Sequence, residues 1–186
     1  MMRIIGDGSS GGSVWVILVC GLYGSLIGLM VRSGGTMKFG EWALKRIKTK
    51  TSALMSAWGL GLLIFLDDYL SALTVGLSMR KITDAFKVPR EMLAYIVNTT
   101  APPWSVIAPI STWTIFIGAI LESSGVAAKG DGLSTYWSMI PYVSYGYISV
   151  LIIPLFIFGI LPWFGRLKKA NIRAETTGQL IGEGLT

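Results

Sequence analysis

The chain has 186 residues, 52% hydrophobic and 14% charged, with a formal net charge of +6; a soluble domain carries about a quarter charged residues, so water is not this chain's only solvent. The basic residues lie between and after apolar blocks rather than on one face of a folded domain, which reads as topology signalling and not as a nucleic-acid surface. With no histidine and one cysteine, Cys20, the chain excludes an internal disulfide, a cysteine metal site and a Ser/His/Asp hydrolytic set, and a proton carrier inside the apolar blocks must be a carboxylate or a lysine.

Residues 1–13, with Gly6, Gly8, Gly11 and Gly12, form a flexible leader. Residues 14–31 (Val14 to Val31) are a block of membrane-crossing length. Basic residues follow it and no small-residue cleavage pattern ends it, so a retained transmembrane helix is expected rather than a signal peptide. Gly24 and Gly28, with Gly21 and Ser25 beside them, offer a face for close helix approach; the ordinary glycine richness of membrane helices explains them as well.

From Arg32 to Lys50 the chain carries Arg32, Lys38, Lys45, Arg46, Lys48 and Lys50 against Glu41 alone, which assigns this stretch to the cytoplasm. Within it, residues 36–50 place Phe39, Trp42, Ala43 and Ile47 at helical spacing opposite basic residues. That pattern predicts a helix lying in the membrane interface, a solvated loop helix being the alternative.

The second apolar region, 52–79, is followed by Arg80, Lys81, Lys87 and Arg90, so it begins and ends on cytoplasmic charge. As one helix it would be about 42 Å long, whereas two arms of about 21 Å reach just past the midplane of a hydrocarbon core of about 30 Å and return. A re-entrant hairpin with its tip at Phe65 to Tyr69 satisfies both length and charge; one tilted helix is the alternative.

The third region, 92–121, contains Pro102, Pro103 and Pro109 among Asn98, Thr99, Thr100, Ser105, Ser111 and Thr112. A broken transmembrane helix is expected, interrupted at the adjacent prolines. The loop from Glu122 to Thr135 has only Lys129 against Glu122 and Asp131 and belongs outside. The fourth region, 136–164, with Pro141, Pro154 and Pro162, reads as an ordinary transmembrane helix, straight or kinked, with aromatic residues at both ends, and 165–186 as a polar, mobile cytoplasmic tail.

The chemistry centres on Asp67 and Asp68, at the hairpin tip. A carboxylate at the centre of a lone membrane helix costs about 2.5 to 3.5 kcal/mol on insertion scales, and no basic residue lies near them in this region. Binding a sodium ion or a proton removes the penalty. Asn98, Thr99 and Thr100 in the broken helix supply further oxygen ligands, with Ser71, Thr74, Ser111 and Thr112 as additional candidates, although hydroxyls also cap their own helix backbone.

The run Phe65-Leu66-Asp67-Asp68-Tyr69, then Leu73-Thr74-Val75-Gly76, Met79-Arg80, Ile82-Thr83-Asp84, Leu93-Ala94-Tyr95-Ile96 and Ala108-Pro109-Ile110-Ser111-Thr112-Trp113, resembles the NhaC-type sodium/proton antiporters of the ion-transporter superfamily. The resemblance runs from about Gly21 to Pro162 and covers about one repeat of a full-length member. It implies an all-α integral membrane protein, one half of an inverted-repeat transporter that exchanges sodium for protons across the cell membrane. The partners it implies are lipid, the two ions, and a second copy or a complementary second-repeat chain, with no cofactor. Members carry an aspartate where this chain has Asn98. A sodium-coupled carrier of an organic acid or amino acid, and a truncated non-transporting membrane protein, are the competing readings; neither catalysis nor nucleic-acid binding is expected.

Overall fold

The computed structural model describes residues 46–182, together with Leu18, Gly21, Leu22, Ser25, Gly28, Leu29, Arg32, Ser33 and Gly34. The leader 1–13, Gly24 of the small-residue face, most of the block 14–31, and most of the interfacial stretch 36–50 lie outside the described residues. What is described is all-helical, with no strand: α1 (Lys50–Leu63), α2 (Asp68–Ala85), α3 (Arg90–Ile107), α4 (Thr112–Ser123), α5 (Gly132–Met139) with a 3-10 turn Ile140–Tyr142, α6 (Ser144–Ile157) and α7 (Gly165–Thr176).

Local chemistry explains most of the boundaries. The Thr49 hydroxyl accepts from Ser52 N–H and opens α1, Asp67 does the same for Leu70 at α2, and Ser111 for Thr114 at α4. At the end of α2 the chain turns through Lys87 in the left-handed region (φ 53°), while Val88 N–H reaches Thr83 O and Lys87 N–H reaches Asp84 O. This is the Schellman pattern, here with lysine where glycine is usual. Pro89 then sets the entry to α3.

The prolines depart from expectation. The helix α3 runs straight through Pro102 and Pro103, and the interruption falls at 108–111, where Ala108 turns extended (φ −68°, ψ 131°) ahead of Pro109. A proline inside a helix loses one hydrogen bond but survives when packing holds the helix on other sides. Here α1, α2 and α6 all pack on α3, burying Met92, Ile96, Thr100, Ala101 and Pro103. The fourth region takes the kinked form: a bend of 51° at Val143 divides it into α5 and α6.

The core is built from Ala53, Leu54 and Ala57 of α1, Val75, Met79 and Ile82 of α2, Met92 and Ile96 of α3, and Ile153 of α6. Close approaches use glycine: Gly61 of α1 lies against Thr100, Gly146 of α6 against Pro103 and Ile107, and Gly132 of α5 against the Gly118 carbonyl. Tyr95, Phe156 and Trp163 form an aromatic cluster where α6 ends beside the start of α3, with Phe156 and Trp163 stacked at 5.0 Å.

The tail is not a loose polar end. Helix α7 docks where α1 starts, α2 ends and α3 starts: Lys50 Nζ lies 2.6 Å from Glu175 and 2.5 Å from Asn171, Arg173 pairs with Glu91 at 2.8 Å, and Arg90 N–H donates to Leu180 O. Helix α1 therefore leaves this end and α2 returns to it. Lys50, Lys87, Arg90, Lys168, Lys169 and Arg173 all belong to it, whereas the far turn between α4 and α5 carries Glu122, Lys129 and Asp131. No single described helix is long and apolar enough to cross a membrane; α3 with α4, bent by 49°, and α5 with α6 have the length and composition to do so as pairs.

Candidate functional site

Two helix interruptions meet in this fold. The first, between Leu63 and Asp68, ends with Asp67 in an extended conformation (φ −151°, ψ 136°); the second, between Ile107 and Thr112, ends with Ser111 likewise extended (φ −154°, ψ 170°). Thr112 ties them together. Its N–H donates to Leu66 O at 2.9 Å, and its hydroxyl donates to Asp67 Oδ2 at 2.9 Å. The other carboxylate oxygen, Oδ1, accepts from Leu70 N–H at 2.9 Å, and the Asp67 residue is 6% exposed.

The positive ends of α2 and α4 thus converge on a buried carboxylate, a favourable arrangement because the unpaired N–H groups of a helix start carry partial positive charge. The C-terminal ends of α1 and α3 reach the same place. Trp104 Nε1 donates to Leu62 O at 2.9 Å, and Ser71 Oγ to Gly61 O at 3.4 Å. Leu63, Ile64 and Phe65 carbonyls receive no hydrogen bond among the described residues. Asp68, the first residue of α2, is half-buried and accepts none either.

The expected ligands separate into two groups. Asp67, Asp68, Ser71, Ser111 and Thr112 lie at the crossing. Ser71 is committed to linking α1 and α2; Ser111 caps α4 and shares a 3.0 Å hydrogen bond with Thr114, whose hydroxyl in turn donates to Ala108 O. Thr74 sits a turn further along α2, half-buried. The trio Asn98, Thr99 and Thr100 is not gathered there as a set. Residues two apart on a helix point about 200° apart, so Thr100 faces Gly61 and bonds Ile96 O at 2.7 Å, while the exposed Asn98 lines a cavity with Pro102 and Trp113. None of the three is hydrogen-bonded to either aspartate.

Sequence reasoning missed the parts of the crossing that are main chain, because a freed carbonyl has no side-chain signature. It also missed Trp104, whose indole N–H supports the last turn of α1 from 42 residues away. Chemically, the crossing offers one carboxylate locked by an N–H and an O–H contact, one carboxylate with open acceptor capacity, and three carbonyl oxygens open among the described residues. That is an oxygen-only donor set of the kind hard cations take. Among the described residues no three histidine, cysteine or acidic side chains come together as a metal cluster.

The chain is similar to a protein of Haemophilus influenzae described as uncharacterized, with 40% identity over 114 residues, covering 61% of this chain and 22% of that relative. The match thus spans about a fifth of the relative's length. No family model matches the chain, and no solved structure does.

Proposed function

We propose that the chain is a membrane-embedded part of a secondary transporter that exchanges sodium ions for protons, with the crossing of the two helix interruptions as its ion site. The observation that carries this reading is the tie from Thr112 to Asp67 and Leu66, which brings two broken helices together at the carboxylates that are the sole charged side chains between Lys50 and Arg80. Irregular backbone at membrane depth is tolerated where it is buried in protein or lines a watery cavity, and half-helix ends facing one another are how such sites hold ions.

The surface supports a lipid environment. Helix α6 exposes Ile148, Leu151, Leu155 and Phe158 along one stripe, and α4 exposes Ile115, Phe116 and Ile120; apolar faces of this extent mark contact with membrane or protein. Basic residues gather at the α7 end and not at the α4–α5 turn, consistent with the α7 end on the cytoplasmic side and with α1 and α2 as a re-entrant pair. The remaining donors of the site come from a second copy or from the segments that the longer relative has in addition.

The two aspartates take different roles. Asp67 is the positioning group, engaged by Leu70 and Thr112; Asp68, with no partner among the described residues, exchanges the cation and the proton. Proteoliposomes carrying the chain and an internal pH dye test this. Sodium addition shifts the internal pH in wild type, and Asp68→Asn abolishes the shift; no response in wild type, or an undiminished one in Asp68→Asn, refutes the reading.

A further inference from the structure

Away from the crossing, between α3, the start of α4 and the start of α6, lies a cavity of about 270 Å³. Its volume equals that of roughly nine waters at about 30 Å³ each, far more than an alkali ion occupies and the right scale for a small organic molecule. Asn98, Pro102, Pro103, Trp113, Tyr145 and Gly146 define its shape, and among the described residues no lysine, arginine, aspartate or glutamate lines it.

The wall is mainly apolar, with one freed acceptor at Asn98. In an α-helix the carbonyl of residue i points along the axis at the N–H of residue i+4. Residues 102 and 103 are prolines and have no N–H, so the carbonyls of Asn98 and Thr99 lose their usual donors, and both prolines line the cavity. Gly146 brings α6 close at this level: a side chain there would meet Ile107 Cγ2 at 2.5 Å and Pro103 O at 3.3 Å. Trp113 and Tyr145 add aromatic rings, and Phe116, edge-on to Trp113 at 6.1 Å, fixes the indole plane.

Ring faces and freed carbonyl oxygens are both electron-rich, and such surroundings favour a positive charge carrying N–H donors. We propose that this cavity binds a small organic ammonium ion, an N–H group on the freed Asn98 carbonyl and its charge against the Trp113 ring. The anionic counterpart has no cation to meet there among the described residues. A neutral isostere gains the apolar walls but not the charge. The inference is independent of ion exchange at Asp68, because its test reads equilibrium binding and not transport.

The test is calorimetric titration of the full chain in detergent with tert-butylammonium, tert-butanol and pivalate at matched ionic strength. The expected result is saturable binding of tert-butylammonium at least tenfold tighter than of either isostere, weakened at least tenfold by Trp113→Leu. Pro102→Ala supplies a second arm: it returns an N–H to the Asn98 carbonyl, so the helix is retained and ammonium binding falls several-fold. Absence of saturable binding, equal binding of the alcohol or the acid, or unchanged affinity in folded Trp113→Leu or in Pro102→Ala overturns the proposal.

Discussion

Thr112→Val isolates the tie between the two helix interruptions, because it keeps the side-chain shape and removes only the hydroxyl. The lost bond is the 2.9 Å contact to Asp67 Oδ2, and Asp67 is 6% exposed, so water does not readily replace the donor. A buried hydrogen bond to a carboxyl group contributes about 1 to 3 kcal/mol when its loss leaves the acceptor unpaired. For a chain of this size that corresponds to a fall in melting temperature of about 2 to 12 °C. The Leu66 O contact uses the Thr112 backbone and survives, as does the Leu70 bond to Oδ1, so the fold is retained. Thermal unfolding in detergent of wild type, Thr112→Val, Thr112→Ser, Asp67→Leu and the double variant reads the effect. Thr112→Ser, which keeps the hydroxyl, is expected near wild type, and the double variant is expected to lose less than the sum of its parts by at least about 0.5 kcal/mol. Additive losses, or a serine variant as weak as the valine one, would show that the hydroxyl does not hold the two interruptions together.

Other consequences are equally concrete. Gly132→Ala forces a methyl to 2.3 Å from the Gly118 carbonyl oxygen, a backbone atom that cannot swing away, and is expected to separate α4 from α5 and lower the melting temperature sharply, whereas Gly76→Ala, which meets nothing within 4 Å, is expected to stabilise α2 by about 0.5 to 1 kcal/mol; thermal unfolding of the pair checks both. Lys87→Gly removes the cost of a side chain at φ 53° and is expected to stabilise the α2–α3 turn by up to about 1 kcal/mol, measured the same way. The hydrogen bond and charge of Lys50 hold the Glu175 carboxyl below its ordinary 4.5, so this contact contributes to docking of α7 above that value and is lost as pH falls through the lowered one. Hydrogen exchange of α7 across that range reports the release, and Lys50→Met is expected to reduce the pH dependence to the part carried by the Arg173–Glu91 pair.

Several features of this protein follow from local sequence. Its helical class follows from long apolar blocks without strand-like alternation, and the starts of α2 and α4 from Asp67 and Ser111, residue types whose short side chains cap helices. Pro109 disfavours helical geometry at the residue before it, and Ala108 is extended there. The separation of basic from weakly charged ends is likewise written in linear order. Packing decided the rest. Nothing in Leu63 to Leu66 ends a helix by propensity; α1 stops where Trp104, on another helix, takes up the Leu62 carbonyl and Thr112 holds the extended segment by its Leu66 carbonyl. Pro102 and Pro103 pass inside α3 because three helices grip it, and Asn98 parts from Thr100 because they occupy opposite faces of that helix. The pairing of Asp67 with Thr112 joins residues 45 apart in the chain. Short-range chemistry sets where helices begin, but which carbonyl or carboxylate a side chain meets depends on how whole helices pack, and that energy is summed over contacts no local pattern contains.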